Sequence, residues 1–437
     1  MSRRCKIVVY GIIAAVCVGL AAALIKLLFF SGLFIPQIKL NDSQTLQVEV
    51  NTDFQDPGAT ARFRFHDYSD NIVVESSLDT AKLGTYKIRY TFETYDKSVV
   101  RTVEVVDTTA PTIKLNGQNP MRVFEKESFK DPGFQASDQY DGDLTKQVKV
   151  DASALDMNKQ GTYEITYTVN DTSGNTATIK RSVEVCKDPT DEKLYYNHDQ
   201  FDNKAEEWWF HKSENNNRTT GCREESLLAK YDAYMMGPDD KTIYLTFDEG
   251  GNDITYIKEI AGVLNDNDVQ ATFFLTRNYI KDNPEFINDL VAHGHVIGNH
   301  SWHHYDMPTL ANEKDIDRFV SEITECEKTY MQVTGQPMKK VFRFPKGGMS
   351  ERSLKLVQDL GYSNYFWSHA YYDYAEDVSG EQALNTLLKH YHNGAIYLLH
   401  PSNKGNYLAM DPFIKAMKQK GYRFATVDKI PKETSEK

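Results

Sequence analysis

The sequence predicts a multidomain chain with three parts: an N-terminal transmembrane helix, two small all-β sandwiches and a C-terminal, deformed (β/α) barrel. Three observations predict this class: an apolar run at residues 7–30, an internal repeat in the first third of the chain, and alternating short strands and amphipathic helices after residue 240. At 437 residues the chain is also too long for one hydrophobic core. The predicted boundaries are 1–30 for a cytoplasmic tip and anchor, 33–107 and 108–187 for the sandwiches, 188–237 for a linker, and 238–432 for the barrel.

The apolar run has the length and flanks of a membrane anchor. Arg3, Arg4 and Lys6 precede it, and Lys26 is its one charged residue. At about 1.5 Å per residue, a helix of this length crosses a hydrocarbon layer of about 30 Å. Basic residues on the near side place the N-terminus in the cytoplasm. We therefore expect a single-pass protein of the cell membrane with residues 31–437 outside; a cleaved signal peptide is the alternative, and it exports the same residues.

The charge balance argues against one class of partner. The formal net charge is −12, whereas a nucleic-acid-binding protein is expected to carry a basic stripe. Hydrophobic residues make up 40% of the chain and charged residues 26%, which is typical of globular protein. The sequence gives no sign of an obligate protein partner.

Two cysteines flank a polar segment that is expected to lie outside the cell. Because that environment is oxidising, Cys186 and Cys222 can form a disulfide. Two free thiols are the alternative.

The first third of the chain contains a repeat with four matching pieces. They are PQIKLN (36–41) and PTIKLN (111–116), FQDPG (54–58) and FKDPG (129–133), LGTYKIRYT (83–91) and QGTYEITYT (160–168), and RTVEV (101–105) and RSVEV (181–185). Apolar and polar residues alternate within these pieces, which is the pattern of half-buried strands in a small sandwich.

The two copies resemble bacterial Ig-like domains in their DPG and GTY signatures. We expect them to hold the rest of the chain away from the membrane, with glycan binding as the alternative. The polar pieces DQYDGDLT (138–145) and NDTSGN (170–175) occur only in the second copy. We expect them to form turns rather than to bind calcium.

The linker contains one segment with a cluster of aromatic residues, EEWWFH at 206–211. It is expected to dock on a neighbouring domain. The alternative is that its tryptophans line a sugar groove.

Seven short apolar strands follow residue 240, with amphipathic helices between them. The strands are predicted at 241–248, 271–276, 295–300, 340–345, 364–370, 395–400 and 423–427. Seven strands suggest an incomplete (β/α) barrel. Polar residues fall at the C-terminal ends of these strands, where such barrels build their active sites.

Two of these strand ends carry candidate metal ligands. The first strand ends in Asp248 and Glu249, which could otherwise form a solvated acidic turn. The third leads to His300 and His304, which share one face if the segment is helical, with Ser301 as the helix cap. His303 would then point elsewhere. Two histidines and a carboxylate suit zinc, with coordination positions left open for water and substrate.

Three further strand ends carry polar residues. Arg343 would hold a carboxylate base ionised and oriented, the alternative being a surface salt bridge. The fifth strand leads to His369, Asp373 and Tyr374. The sixth ends in His400, which lies opposite the carboxylates in the manner of an acid–base pair.

The segments TFDEG, HSWHH, RFPKG, YYDY and YLLH, in this order, resemble the motifs of the polysaccharide deacetylases of the NodB-homology group. The resemblance covers roughly residues 238–430. It implies a deformed (β/α) barrel, a divalent metal and hydrolysis of an N-acetyl group from an amino sugar. The implied roles are general base for Asp248, metal ligand for His300, His304 and Glu249, base orientation for Arg343, general acid for His400, tuning of that acid for Asp373, and pocket shape for Ser301, Pro345, Trp367 and Leu398.

Three departures from the family pattern affect metal and substrate. Glu249 stands where the family has a second aspartate, and this departure bears on metal affinity and identity: zinc is expected from the ligand types, with manganese or cobalt as alternatives. Tyr374 replaces a tryptophan, and Lys346 replaces an aromatic residue.

Lys346, together with the segments FWSHAYYD and AIYLLH, resembles the branch of the family that acts on N-acetylmuramic acid. A cation near the sugar would suit the lactyl carboxylate that this sugar carries when its peptide is absent. Peptidoglycan glycan strands are therefore the expected substrate, with N-acetylglucosamine as the alternative site of deacetylation. Two rivals remain: a catalytically impaired protein that binds the cell wall, and a deacetylase of another polysaccharide such as xylan or chitooligosaccharide.

Overall fold

The computed structural model describes residues 3–30, 35–249, 255–373 and 378–432; within 3–30, side chains are described only for 13–26. Contacts divide the chain into two compact units. Unit 1 contains Met1–Asn116, Pro132–Ala152 and Thr166–Lys180, and unit 2 contains Gly117–Asp131, Ser153–Ile165 and Arg181–Lys437.

Helix α1 spans Arg3–Phe30. The predicted transmembrane run falls on it, and the side chains of residues 7–12 and 27–30 lie outside the described set. Among the residues that are described, no helix combines the length and apolar character that crossing a membrane requires.

The first repeat forms two sheets in unit 1. Strands β1, β3 and β4 form one sheet, and strands β2, β7, β6 and β5 the other, in these orders. Along β6, Ile88, Tyr90 and Phe92 are buried and Arg89 is exposed, which confirms the predicted period of two. The bounds are β1 Gln37–Leu40, β2 Thr45–Glu49, β3 Ala59–Phe63, β4 His66–Asp67, β5 Val73–Ser76, β6 Gly84–Phe92 and β7 Lys97–Val106.

The second repeat reuses this plan. Its strands are β8 Thr112–Leu115, β9 Met121–Phe124, β10 Phe134–Asp138, β11 Gly142–Asp143, β12 Lys149–Asp151, β13 Gly161–Asn170 and β14 Thr176–Cys186. In unit 1, β10 pairs with both β8 and β11. In unit 2, the end of β14 pairs in parallel with β9.

The rest of unit 2 is built around an eight-stranded sheet. Its order is β16, β22, β20, β19, β18, β17, β23, with β24 also paired to β17. The bounds are β16 Ala233–Tyr234, β17 Thr242–Glu249, β18 Thr272–Leu275, β19 Val296–Asn299, β20 Val341–Phe342, β22 Ser363–Tyr365, β23 Ile396–Leu399 and β24 Arg423–Phe424. Two other strands, β15 Glu206–Glu207 and β21 Gly348–Met349, pair with each other in a separate two-stranded sheet.

The paired strands of this sheet are parallel, and helices connect most of them. A parallel bridge between His369 and Tyr397 places the continuation of β22 beside β23. The sheet therefore curls into the deformed (β/α) barrel that the sequence predicts, with β16 as one strand more than expected. The helices are α2 Glu225–Ala229, α3 Ile257–Asp266, α4 Arg277–Asp282, α5 Pro284–Ala292, α6 Ile316–Thr334, α7 Glu351–Asp359, α8 Gly380–Lys389 and α9 Lys404–Gln419.

The EEWWFH segment docks on the barrel, as predicted. Strand β15 pairs with β21, and Trp208 is buried. Its ring stacks on Phe366 with the centroids 4.5 Å apart, and its Nε1 donates a hydrogen bond of 2.9 Å to the carbonyl of Trp367. Trp209 is 52% exposed, so only one of the two tryptophans anchors the segment.

The predicted disulfide between Cys186 and Cys222 does not form, because both residues are free thiols. Cys186 packs against the hydrophobic cluster that contains Phe124, whereas Cys222 packs against the cluster that contains Trp208. The two sulfur atoms therefore belong to different packing environments.

Candidate active site

Strand β17 ends in a buried ion pair. All eight of its residues are buried, including Asp248 and Glu249, so the strand end is not a solvated acidic turn. The guanidinium of Arg343 is fully buried, and its Nη1 donates to Asp248 Oδ1 at 2.6 Å and to Thr246 Oγ1 at 2.7 Å. A buried guanidinium at this distance fixes the orientation of the carboxylate through a short, charge-assisted hydrogen bond.

Backbone carbonyls hold the rest of this guanidinium. Arg343 Nε donates to the carbonyl of Tyr365 at 2.7 Å, and Nη2 donates to the carbonyl of Phe366 at 3.2 Å. These bonds fix the guanidinium in one orientation. Its ion pair with Asp248 is therefore buried and is not a surface salt bridge.

The two candidate histidine ligands meet through a turn, not a helix. Ser301 and His304 both have left-handed backbone conformations, with φ of 68° and 60°, and the expected short helix at 300–304 is absent. Asn299 Oδ1 accepts from Ser301 N at 2.9 Å, and Ser301 Oγ accepts from His304 N at 3.0 Å. The imidazole rings of His300 and His304 consequently lie 5.0 Å apart, centroid to centroid.

One nitrogen of His300 is left facing the site. His300 Nδ1 donates to the carbonyl of Arg343 at 2.9 Å, and Nε2 lies 3.9 Å from Asp248 Oδ2. Burial lowers the pKa of His300 to about 4. The pKa of His304 is also lowered, mainly by burial. The negative charge of Asp248 raises it, but the positive charges of Lys346 and His400 act with burial to lower it. Both imidazoles are therefore neutral near pH 7 and offer lone pairs to a cation.

The three expected metal ligands do not form one compact set. Glu249 is buried beside Asp248, but within the described chain the ligand atoms of Glu249, His300 and His304 do not all lie within 4.8 Å of one another. Neutral imidazoles and carboxylates are donor types that zinc accepts, so the chemistry of the donors fits such an ion.

Beyond strand β23, His400 and Asp373 form a second polar pair. His400 Nδ1 donates to Asp373 Oδ1 at 2.8 Å, and His400 N donates to Asp373 Oδ2 at 2.7 Å. Burial opposes a charge on His400, but the hydrogen bond and charge of Asp373 outweigh it, with smaller contributions from Asp248 and Glu249, and raise the pKa of His400. The imidazole is thereby suited to donate a proton.

The structure also locates the other residues singled out in the sequence. Pro345 and Leu398 are buried, Trp367 is half-buried and Lys346 is exposed with a left-handed φ of 59°. Tyr374 lies outside the described residues. His303 points away from the pair, as predicted, because its Nδ1 bonds Glu322 Oε1 at 2.7 Å. His369 is buried in the core, where its ring stacks on Tyr397.

Three supporting residues were not anticipated. Thr246 lies two positions before Asp248, so strand alternation could have placed it on the same face. Asn406 Nδ2 donates to Asp373 Oδ2 at 2.6 Å, and Asn403 Nδ2 donates to the carbonyl of Asp373 at 2.8 Å. The sequence holds no sign of these two bonds, because they depend on how α9 packs.

Comparison with protein-family models finds one match in the barrel and another in the two repeats. The polysaccharide deacetylase family model matches residues 236–365. The model for the Ig-like domain of bacterial surface proteins matches residues 38–105 and 113–185.

Three relatives are similar over about half of the chain. An uncharacterised 30.6 kDa protein of Geobacillus stearothermophilus is 39% identical over 230 residues, which cover 52% of this chain and 85% of that protein. Peptidoglycan-N-acetylmuramic acid deacetylase PdaA of Bacillus subtilis is 37% identical over 232 residues, 52% of this chain and 86% of PdaA. A peptidoglycan-N-acetylglucosamine deacetylase of Bacillus cereus is 27% identical over 214 residues, 48% of this chain and 96% of that protein.

Proposed function

Because this chain belongs to the polysaccharide deacetylase family and is a hydrolase of carbon–nitrogen bonds other than peptide bonds, we propose that it removes N-acetyl groups from the amino sugars of peptidoglycan. N-acetylmuramic acid is the proposed sugar, and acetate and a free amino sugar are the products. The observation that carries the proposal is that Asp248, held by Arg343 at the end of β17, lies beside His300 in the turn after β19, with His304 next to that histidine.

Asp248 is the proposed general base. Arg343 fixes its orientation through Oδ1, and the second oxygen, Oδ2, lies 3.9 Å from His300 Nε2. That oxygen can accept a proton from a water molecule as the water attacks the acetyl carbonyl carbon.

His300, His304 and Glu249 are the residues that would hold a divalent metal, with zinc proposed and manganese or cobalt as alternatives. A bound ion of this kind supplies Lewis-acid polarisation of the carbonyl and lowers the pKa of water. A change of side-chain conformation within this set would have to bring the three ligand atoms together. If it does not, the impaired wall-binding protein is the alternative function.

His400 is the proposed general acid. Asp373 raises the pKa of His400, so the ring can carry a proton to the leaving nitrogen while the carbon–nitrogen bond breaks. A backbone N–H near Lys346 is proposed to stabilise the negatively charged oxygen that forms on the carbonyl.

Lys346 is proposed to select the sugar. Its side chain is exposed, and its positive charge contributes to the lowered pKa of His304, which supports a position near that histidine. Where the stem peptide is absent, a cation there can pair with the lactyl carboxylate of N-acetylmuramic acid, a group that N-acetylglucosamine lacks. Pro345, Trp367, Tyr374 and Leu398 are proposed to shape the pocket around the sugar. The activity named for PdaA supports the same sugar, and that named for the Bacillus cereus relative supports the alternative.

The proposed location is the outer face of the cell membrane, where peptidoglycan is accessible. The support is the apolar run at 7–30, preceded by basic residues. Cell fractionation tests it: recovery of the full-length chain in the membrane fraction supports an anchor, and recovery of a shortened chain in the medium supports a cleaved signal peptide.

Acetate release from purified peptidoglycan tests the function. The full chain is assayed with and without added zinc, beside Asp248→Asn, and the digested muropeptides are analysed by mass spectrometry. Zinc-dependent loss of one acetyl group, absent in the variant, is expected, and the fragment that carries the loss identifies the sugar. No release with zinc, manganese or cobalt would contradict the proposal and favour a wall-binding role or another polysaccharide such as xylan or chitooligosaccharide.

A further inference from the structure

Three aspartates converge where the first Ig-like repeat joins the second. Asp107 directly follows β7, Asp141 lies in the turn between β10 and β11, and Asp171 directly follows β13. One carboxylate oxygen from each lies within 4.8 Å of the other two. Asp107 and Asp171 are more than nine-tenths buried, so this is not an ordinary acidic surface patch.

Asp107 presents a buried oxygen without a hydrogen-bond partner. Its Oδ1 accepts from Thr109 N at 3.2 Å, and its Oδ2 has no partner among the described residues. The neighbouring Asp138 shows the same pattern: its Oδ1 accepts from Tyr140 N and Asp141 N, and its Oδ2 is buried and unpartnered within the described chain. Buried carboxylate oxygens that lack hydrogen bonds are costly unless a cation compensates them.

Neutral donors contact the other two carboxylates. Thr172 N and Oγ1 donate to Asp141 at 2.8 and 2.7 Å. Asn175 N and Nδ2 donate to Asp171, both at 2.8 Å. In the described part of the chain, no lysine, arginine or histidine nitrogen lies within 4.0 Å of the carboxylates of the cluster. The negative charges are therefore brought together without a protein cation to offset them.

The acidic residue next to the cluster, Asp138, has no acidic counterpart in the first repeat. Strands β8 and β10 pair in the same register as β1 and β3, which aligns Asp138 with Phe63 of the first repeat. The Ig-like architecture therefore does not require an acid at the position of Asp138.

We propose that Asp107, Asp141 and Asp171 bind a calcium ion that fixes the joint between the two repeats. Calcium accepts all-oxygen, irregular coordination completed by water, whereas zinc favours nitrogen or sulfur ligands and magnesium demands near-ideal octahedral geometry. Only residues 107–111 separate β7 from β8, so a cation shared by Asp107 and the two turns ties one repeat to the other. The turns at 138–145 and 170–175, expected only to reverse the chain, thereby gain a ligand role.

Calorimetric titration of the full chain with calcium chloride tests the site. The protein is first treated with a chelator, and zinc is then added to occupy the proposed metal ligands His300 and His304. We expect one calcium ion to bind with a Kd of about 10⁻⁴ to 10⁻³ M, as in extracellular modules, and calcium to raise the melting temperature. Asp171→Asn and Asp141→Asn should each weaken binding about tenfold or more, while their melting temperatures without calcium match that of the unaltered protein.

Asp143→Asn is the matched control. Asp143 lies two residues from Asp141 and is exposed, and its Oδ1 accepts from Thr145 N at 2.9 Å, a bond that asparagine can keep. This variant should bind calcium like the unaltered protein. Absence of binding at 10 mM calcium (about ten times the weakest Kd expected), or equal losses in Asp143→Asn and Asp171→Asn, would overturn the proposal. Loss of calcium binding in His300→Ala would also overturn it, because the ion would then lie at the catalytic histidines.

Discussion

Replacing Asp373 by asparagine should remove the charge that keeps His400 protonated while leaving a side chain of the same shape. In the structure, Asp373 is 1% exposed and accepts hydrogen bonds from both Nδ1 and the backbone N of His400, at 2.8 and 2.7 Å. An opposite charge at such a distance shifts a pKa by about 1–3 units. We therefore expect the pKa of His400 to fall by about 2 units. This shift corresponds to a loss of about 2.7 kcal/mol in the stabilisation of the protonated imidazole relative to the neutral one.

The sign of the effect on activity follows from the role of a general acid. Activity that needs protonated His400 is lost as pH rises through its pKa, so a lower pKa moves this alkaline limb to lower pH. At a pH above both pKa values, the protonated fraction falls about 100-fold for a shift of 2 units. The assay is kcat/KM for acetate release from pH 5 to 9, together with an NMR titration of the His400 imidazole, which needs no turnover.

Asp359→Asn is the matched control, because Asp359 Oδ2 contacts His198 Nε2 at 2.8 Å in a carboxylate–histidine pair outside the site. Its pH profile should equal that of the unaltered protein. An unchanged alkaline limb and an unchanged His400 titration in Asp373→Asn would refute the reasoning, even if the variant were slower.

Three further outcomes are expected. His304→Ala should lose bound zinc in equilibrium dialysis, whereas His303→Ala should retain it, because His303 is held by Glu322 away from the site; equal zinc contents would contradict the ligand assignment. Trp208→Ala should lower the free energy of unfolding in urea by about 3–5 kcal/mol through lost stacking and burial, and the exposed Trp209→Ala by less than about 0.5 kcal/mol; similar losses would show that the segment does not dock through Trp208. Burial lowers the pKa of His295 to about 4, and its Nδ1 accepts from Ala271 N. Its contribution to stability is present above pH 6.5 and is lost, by about 3 kcal/mol, as pH falls to 4; urea melts of His295→Gln should depend less on pH over this range, and an equal dependence would exclude His295 as the cause.

Much of the architecture was predictable because it depends on local patterns. Period-two alternation marks the strands of the repeats, as along β6, and short apolar runs between amphipathic segments mark the strands of the barrel. Since parallel strands end at the same edge of a barrel, the sequence also predicted that Asp248, Arg343 and His400 would meet. The ion pair of Arg343 with Asp248 supports that expectation for these two residues, whereas the catalytic roles await the experiments above.

The geometry inside the site was not predictable in the same way. The spacing of His300 and His304 suggested a helix, but Asn299 and Ser301 hold the backbone in a left-handed turn that brings the rings together by another route. Spacing reports only local periodicity, and it cannot show side chains that compete for the backbone hydrogen bonds.

The sequence by itself determined the order of the domains, the repeat, the strand–helix alternation and the residue types at the strand ends. Only the tertiary structure decided that Arg343 is buried with four hydrogen-bond acceptors, that Asn406 supports Asp373, and that Cys186 and Cys222 stay apart. It also decided that aspartates from three separate segments meet at the joint between the repeats. The physical reason is the range of the interactions: alternation and strand ends arise from neighbours in the chain, whereas burial, charge compensation and ligand geometry arise from residues that only folding brings together.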